Sequence, residues 1–351
     1  MSERYPGGII SKTPVTPTGP YQSSTAPGIW TLDQQLQFQQ QGIWPTAGNV
    51  DPSLFIENLF STYLYTGNGS TQTITNNIDL STKGGLVWIK CRNTAGRDHN
   101  LYDTARGTTK LLQSDTTNGQ QTNASSLTAF NTTGFTLGGY SDSNANTNTF
   151  VSWTFRKQAK FFDIVSYTGT GANRTISHNL GSTPGCIIVK RTDTTSDWQV
   201  YHNSLTSAAY SIQLNLTNEQ ASATTVWNST APTSSVFSVG TSTDVNASGG
   251  TYIAYLFASN AGGFGSAGTD NVISCGTYSG SNTTPVTVSL GYEPQWILIK
   301  RSDAPQSWTI YDNMRGMAVG GDDLFLIPNY NDAEVATNWF SPTATGFQLT
   351  A

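Results

Sequence analysis

Runs of consecutive apolar residues recur three times along the chain, and each run ends at a lysine. They are residues 86–90 (LVWIK), 186–190 (CIIVK) and 296–300 (WILIK). A strand that is apolar on both sides is typical of the middle of a sheet that is covered on both faces. The pattern therefore predicts three buried central strands, each with a lysine emerging at its end.

Alternating patterns accompany these runs. Residues 174–180 and 286–290 alternate apolar and polar side chains, which predicts half-buried strands. Aromatic alternation at residues 150–155 (FVSWTF) and 252–257 (YIAYLF) predicts a closing strand for the first and second copies. The third copy has no such strand, so we expect an open sheet edge there. Either the sequence is part of a longer chain, or a neighbouring chain or the N-terminal leader supplies the strand.

The copies are spaced by about the length of a small domain. Lys90, Lys190 and Lys300 are 100 and 110 residues apart. This period is too long for a solenoid and indicates modules that each bury a core. We predict three β-sandwich repeats after a leader at residues 1–50: repeat 1 at 51–158, repeat 2 at 159–262 and repeat 3, lacking its final strand, at 263–351.

The leader is rich in proline and glycine, which predicts an extended arm with polyproline-like pieces. Within it, Thr31 and Gln34 form a capping-box pattern, and Gly42 marks a stop, so we expect a short helix at about 31–41. Its apolar residues are more than such a short element buries alone. We predict that they anchor the chain to a partner subunit, or alternatively pack on repeat 1; they are Ile29, Trp30, Leu32, Leu36, Phe38, Ile43 and Trp44.

Composition and charge add four points to this picture. Only 11% of residues are charged and 36% are hydrophobic, the remainder being dominated by Thr, Ser, Asn, Gly and Gln, which favours an all-β fold. A net charge of −5 without any basic stripe argues against a nucleic-acid partner. No apolar run has the length of a membrane span or of a secretion signal, so no membrane insertion is expected. The odd set Cys91, Cys186 and Cys275 predicts no disulfide.

Catalytic patterns do not stand out. We find no paired acids, no Ser/His/Asp set and no metal-ligand spacing around His99, His178 or His202, so we predict a protein that is not an enzyme and needs no cofactor or metal. The recurring Trp and Tyr residues have two interpretations, a shared core or a weak glycan contact. The candidates for glycan contact are Trp198, Tyr201, Trp308, Tyr311, Asp312 and Arg315.

Several phrases resemble those of tailed-bacteriophage virion proteins of the marine and cyanobacterial type. They are residues 294–303 (PQWILIKRSD) and 249–258 (GGTYIAYLFA), with leader phrases at 5–10 (YPGGII), 27–34 (PGIWTLDQ) and 42–45 (GIWP). The resemblance implies a virion structural protein with lectin-like tandem sandwiches of concanavalin or jelly-roll type. It also implies a leader that attaches to a common virion scaffold.

From this resemblance we expect a non-enzymatic fibre or spike in the virion. Its partners would be other phage virion proteins, either portal, tail and adaptor proteins or the capsid, together with host-surface glycans. A homotrimer is expected by analogy. One alternative is a capsid decoration or cement protein that stabilises the head. Another, less favoured, is a glycan-degrading tailspike.

Overall fold

The computed structural model describes residues 14–21, 24–45, 51–317, 319 and 321–350, and the leader phrase at 5–10 lies outside them. The fold is all-β, as predicted, with antiparallel sheets and few helical turns. The chain divides into two compact units. One comprises Met1–Ile56 and Gly263–Asp270, and the other comprises Glu57–Gly262 and Asn271–Ala351.

The first unit contains helix α1 (Leu32–Gln40), which confirms the predicted helix. The Thr31 side chain accepts a hydrogen bond from the Gln34 backbone, and the Gln34 side chain accepts one from the Thr31 backbone, so the capping box is complete. Gly42 follows with a φ of 69°, a conformation that glycine adopts without strain. The described part of the arm is not fully extended, because Val15 N donates to Pro27 O and turns the segment back.

Repeat 1 contains two sheets, ordered β1-β9-β3-β4-β5-β6 and β2-β8-β7. The loop between β8 and β9 carries the short helix α2 (Ser141–Asn144). The strands are β1 (Phe60–Thr66), β2 (Gln72–Thr75), β3 (Gly85–Cys91), β4 (Asn100–Asp103), β5 (Lys110–Gln113), β6 (Gln121–Thr122), β7 (Leu127–Asn131), β8 (Gly134–Leu137) and β9 (Thr149–Arg156).

Repeat 2 has the same plan, with sheets ordered β10-β17-β12-β13-β14-β15 and β11-β16 and helix α3 (Thr243–Asn246) before its last strand. The strands are β10 (Phe162–Thr168), β11 (Arg174–Ser177), β12 (Pro184–Arg191), β13 (Gln199–His202), β14 (Tyr210–Gln213), β15 (Ala221–Ser222), β16 (Val236–Val239) and β17 (Thr251–Ala258).

Repeat 3 has sheets ordered β19-β20-β21-β22 and β18-β24-β23. No strand within its described residues corresponds to β9 or β17. The strands are β18 (Val286–Ser289), β19 (Trp296–Ile299), β20 (Thr309–Asp312), β21 (Asp323–Leu326), β22 (Val335–Thr337), β23 (Phe340–Thr343) and β24 (Gly346–Leu349). In repeat 1, two 3-10 turns, Pro52–Leu54 and Ile56–Asn58, precede β1.

Each repeat has its own hydrophobic cluster, and each cluster takes residues from both sheets of that repeat. In repeat 1, Val87 and Ile89 of β3 pack in one cluster with Ile74 of β2 and Phe135 of β8. All seven residues of β3 are buried, which explains the continuous apolar run in the sequence. The repeats are nevertheless not separate bodies, because all three contribute to the second compact unit.

Candidate functional site

The recurring tryptophans lie at joints between repeats rather than on the surface. The Trp198 indole Nε1 donates to the Gln113 backbone carbonyl at 3.0 Å, which joins repeat 2 to repeat 1. The Trp308 indole Nε1 donates to the Gln213 carbonyl at 2.8 Å, which joins repeat 3 to repeat 2 in the same manner. Both indoles are buried, and each accepting carbonyl belongs to the last residue of a strand in the neighbouring repeat.

The lysines that end the three apolar runs also reach across to a neighbouring repeat. Lys190 Nζ donates to Thr117 O at 2.9 Å, and Lys300 Nζ donates to Thr217 O at 3.1 Å. Lys90 Nζ lies 3.4 Å from its acceptor, Asn331 O in repeat 3. Burial lowers the pKa of Lys190 and of Lys300 to about 8, and it also lowers the pKa of Lys90.

Backbone hydrogen bonds repeat the same order. They run from Gln120 N to Thr192 O, from Gln220 N to Ser302 O and from Glu334 N to Arg92 O, at 2.7, 2.9 and 2.8 Å. The first joins repeats 1 and 2, the second joins repeats 2 and 3, and the third joins repeats 3 and 1. The three repeats are therefore connected in a cycle with pseudo-threefold order.

A second set of contacts joins the repeats through buried carboxylates. Asp103 accepts from the Tyr255 hydroxyl at 2.8 Å and pairs with Arg106 at 2.5 Å. At the matching position of repeat 3, Asp312 accepts from Trp153 Nε1 at 2.9 Å. Each carboxylate is thus held between its own repeat and the closing strand of a neighbour.

Repeat 3 also supplies an arginine where its Asp312 contacts Trp153 of repeat 1. Arg315 pairs with Asp312 at 2.6 Å, and its guanidinium carbon lies 5.5 Å from the centre of the Trp153 ring. Repeat 2 carries His202 and Leu205 at the corresponding positions, so its joint has no ion pair. Burial lowers the His202 pKa to about 4.

One aromatic ring touches all three repeats. The ring centroids of Phe257 and Trp296 each lie 5.5 Å from that of Phe155 in repeat 1, and both rings meet it edge to face. Phe162 of repeat 2 lies at 5.6 Å and Phe60 at 4.8 Å. This contact surface is apolar, and burial of such rings stabilises the association of the repeats.

The six residues predicted for glycan contact all belong to these joints and cores. Trp198 and Asp312 have no exposed surface, and the most exposed member, Tyr201, is 7% exposed. The structure gives no support to glycan contact at this set, and it favours the alternative interpretation of a shared core. The six buried residues are Trp198, Tyr201, Trp308, Tyr311, Asp312 and Arg315.

A cavity of about 360 Å³ lies where matching segments of the three repeats meet. It is partly open to solvent, and most of its lining is polar. The same segment of each repeat contributes, namely the residues that follow β5, β14 and β21. The lining residues are Asp115, Thr116, Asn215, Leu216, Thr217, Asn329, Tyr330 and Asn331.

One position in this lining has the same structural role in each repeat. Asp115 Oδ1 accepts from His99 N at 3.1 Å, and Asn215 Oδ1 accepts from Trp198 N at 2.9 Å. Asn329 Oδ1 accepts from Trp308 N, also at 2.9 Å. Repeat 1 therefore carries a carboxylate where the other repeats carry amides. Burial, and next the Asp98 charge, raise the pKa of Asp115 from 3.8 to about 8.

These three hydrogen bonds show that His99, Trp198 and Trp308 are equivalent residues, which is not evident from the sequence. His99 occupies the place of the two joint tryptophans, although one extra residue in its loop hides the alignment. The His99 ring accepts from Trp88 Nε1 at 3.0 Å. Burial, followed by the charges of Lys90 and Arg315, lowers its pKa well below the usual value. His99 therefore acts as a neutral packing residue of the joint between repeats 1 and 3.

The predicted anchor residues fall into two groups within the first unit. Trp30 packs edge to face against Phe38 and Trp44, with ring centroids 5.2 and 5.8 Å away, and Ile43 next to Trp44 is half-buried. The second group is exposed and consists of Ile29, Leu32 and Leu36 at 64%, 76% and 50%. The aromatic rings thus stabilise the element, while the aliphatic side chains remain uncovered.

The described residues lack metal-binding clusters, disulfides and membrane-spanning helices. No three His, Cys, Asp or Glu side chains there form a group that could hold a metal ion. Cys91, Cys186 and Cys275 are free thiols. No helix in the described segments is long and apolar enough to cross a membrane.

Comparison with known proteins identifies a family. Residues 56–351 match the family described as a domain of unknown function, DUF7483. No curated protein and no solved structure matches the chain.

Proposed function

The chain belongs to the DUF7483 family, since the match spans residues 56–351, and we propose that it is a non-enzymatic structural protein of a tailed-phage virion. In this proposal it is a fibre or spike. Its leader anchors it to other virion proteins, and its three sandwich repeats carry a contact site for host-surface glycans. The observation that carries the proposal is the cavity at the meeting of the three repeats.

The chemistry of the cavity suits a polyhydroxylated ligand. Its volume of about 360 Å³ is at the lower end of the range for small-molecule sites. Tyr330 is 47% exposed at this site and offers an aromatic face. Thr116, Thr217 and Asn331 offer hydroxyl and amide groups that donate and accept hydrogen bonds with sugar hydroxyls.

The exposed part of the leader supports the anchoring half of the proposal. A capped helix with Leu32 and Leu36 exposed presents apolar surface to solvent at a cost in free energy. A virion partner that covers these side chains removes that cost. The same element is already ordered by the Trp30 cluster, so binding would require little further ordering.

Glycan binding is tested on an array of bacterial surface polysaccharides. We expect one class to bind, and Tyr330→Ala to weaken it about tenfold, a loss in the range of one aromatic contact. Trp339→Ala is the matched control, because Trp339 is a similarly exposed aromatic side chain that does not line the cavity. An equal loss of glycan binding in Tyr330→Ala and Trp339→Ala would contradict the cavity as the binding site. Chain shortening of the bound polysaccharide would contradict the non-enzymatic role.

A second candidate, a capsid decoration protein, is favoured by the cyclic order of the repeats. A chain with three similar modules in a cycle suits a position where three shell subunits meet. Immunogold electron microscopy of phage particles separates the two candidates. Gold on tail or fibre structures supports the fibre, whereas gold on the facets of the head overturns it in favour of decoration.

A further inference from the structure

The loop of repeat 1 that contacts repeat 2 contains an asparagine followed by a glycine. Asn118 is exposed, and Gly119 lies against residues 192–194 of repeat 2. A Cβ atom at position 119 would lie 2.9 Å from both the Thr192 and the Thr194 carbonyl oxygens, which is closer than real side chains approach. The close packing of this joint therefore requires glycine at position 119.

An asparagine before a glycine is a chemically labile pair, because no side chain hinders attack of the glycine nitrogen on the asparagine amide. Here the Gly119 nitrogen would bond to Asn118 Cγ, and the amide nitrogen would leave as ammonia with the proton that Gly119 gives up. Water then opens the resulting succinimide ring at one of its two carbonyl groups. The product is aspartate or isoaspartate, and isoaspartate carries the backbone through the former side chain.

Both reacting groups of this pair are available. Among the residues that the structure describes, none forms a hydrogen bond with the Asn118 side-chain amide or with the Gly119 backbone N–H. The same dipeptide occurs at residues 68–69, but there Gly69 N donates to Asn144 O at 2.8 Å. The Asn68 side-chain oxygen also accepts from Asn144 Nδ2 at 3.2 Å. Attack at Asn68 would have to break these hydrogen bonds first, whereas attack at Asn118 would not.

The equivalent loops of the other two repeats do not carry this pair. Repeat 2 has Asn218 followed by Glu219, and repeat 3 has Asp332 followed by Ala333. The alignment follows from the backbone hydrogen bonds two residues later, which join neighbouring repeats in the same order. Repeat 1 alone of the three thus combines asparagine with glycine in this loop, and an aspartate is the ordinary residue of the loop in repeat 3.

We propose that Asn118 is a site of spontaneous deamidation, and that its isoaspartate form loosens the joint between repeats 1 and 2. The loop contacts repeat 2 on both sides of the reacting pair. Before the pair, Thr117 O accepts from Ser196 N at 2.8 Å, and after it, Gln120 N donates to Thr192 O at 2.7 Å. Isoaspartate adds one methylene to the backbone between these two contacts, so both cannot keep their present geometry. Aspartate leaves the backbone length unchanged.

The first test follows loss of ammonia from the full chain during incubation at mildly alkaline pH, by digestion and mass spectrometry. We expect Asn118 to react at least about tenfold faster than Asn68, whose pair is hydrogen-bonded, and than Asn218, which lacks the glycine. The rate at Asn118 should fall at mildly acidic pH, because the Gly119 nitrogen must lose its proton to attack. Equal rates at the three asparagines, or an intact Asn118, would overturn the modification site.

Hydrogen exchange tests the loosening of the joint. In the chain that carries isoaspartate at position 118, separated by chromatography, residues 117–121 and 192–197 should exchange at least about tenfold faster than in the unmodified chain. Freshly purified Asn118→Asp is the matched control, since it has the new charge without the added methylene, and it should exchange like the unmodified chain. Incubated Asn118→Gln should also remain unchanged, because its side chain would have to close a larger ring.

Two results of this exchange measurement would overturn the loosening. One is an isoaspartate-bearing chain that protects these residues as well as the unmodified chain does. The other is an Asn118→Asp variant that loses protection to the same extent, because the charge rather than the backbone length would then be responsible.

Discussion

Tyr255 of repeat 2 donates its phenolic hydrogen to Asp103 of repeat 1 across 2.8 Å, although the two residues are 152 positions apart. Asp103 also binds Arg106 of its own repeat, so one buried carboxylate serves both an internal ion pair and a joint. Burial, followed by the Asp103 charge, raises the Tyr255 pKa well above its usual value, which keeps the phenol protonated as a donor. This shared acceptor therefore adds to the Trp198, Lys190 and Gln120 hydrogen bonds that also join repeats 1 and 2.

Removing this donor is expected to weaken the whole second unit. Tyr255→Phe should lower the free energy of unfolding by about 1–3 kcal/mol, because a buried carboxylate loses a hydrogen bond and gains no water. Urea unfolding followed by tryptophan fluorescence measures the change. Tyr63→Phe is the control, since Tyr63 is only half-buried and lies in β1 away from this carboxylate. Equal midpoints for all three proteins would contradict a stabilising joint.

The cavity residue Asp115 predicts an unusual pH dependence. Its pKa is raised from 3.8 to about 8 in the folded chain, so the folded state holds a proton that the unfolded state releases. This contribution to stability is present in full below pH 4 and is lost as the pH rises towards 8. Asp115→Asn, which copies repeats 2 and 3, should remove that loss and raise the free energy of unfolding at pH 7 by about 1–3 kcal/mol.

The reverse substitution is a control for the same position. Asn215 Nδ2 donates to Asp197 Oδ1 at 2.8 Å, so Asn215→Asp would place two carboxylates together. We expect this variant to be less stable at pH 7 than at pH 5, as measured by thermal unfolding. A thermal stability of Asn215→Asp that rises from pH 5 to pH 7, or that does not change between them, would contradict the assigned pKa shift.

The joint between repeats 3 and 1 contains a partly buried ion pair. Arg92 binds Glu334 through two hydrogen bonds of 2.9 Å, and both side chains are mostly buried. Repeats 1 and 2 carry Gln120 and Gln220 at the position of Glu334. Glu334→Gln should lower the free energy of unfolding by about 0.5–1 kcal/mol at low salt and by less at high salt. Unfolding at two ionic strengths measures this. Asp303→Asn, at the exposed pair with Arg301, should show no change.

The leader prediction concerns binding rather than folding. Leu32→Ser with Leu36→Ser should leave the thermal midpoint unchanged, because both side chains are exposed. The same pair of changes should reduce incorporation of the protein into phage particles several-fold, as measured by immunoblotting of purified virions. Gln37→Ser is the matched control on the same helix. Normal incorporation of the leucine variant would contradict an anchor.

The strand pattern of the chain was predictable because it depends on local periodicity. The apolar run ending at Lys90 became β3, and the aromatic strand around Tyr252 became β17. The helix was predictable for the same reason, since its capping box lies within four residues. Such elements are specified by neighbours in sequence.

The joints were not predictable, since they depend on which faces of the repeats meet. A tryptophan that recurs at the position of Trp308 suggests either a core residue or a ligand contact. The sequence does not show that the Gln213 carbonyl of another repeat accepts its hydrogen bond. Asp312 and Arg315 suggested hydrogen bonding to sugar hydroxyls, but they are buried together beside Trp153. The cavity was missed because its lining combines loops about a hundred residues apart. One usable signal was the shared acceptor position at Asp115, Asn215 and Asn329.

The cyclic order of the repeats limits how such a protein can change. A linear array gains or loses modules at its ends, since each module contacts only its neighbours. Here repeats 1 and 3 contact each other through Arg92 and Glu334, so inserting a fourth repeat into this cycle would require a different angle at every joint. The number of repeats in the cycle is therefore limited by geometry, whereas the chemistry of each joint is free to diverge, as the uncharged His202 and Leu205 illustrate.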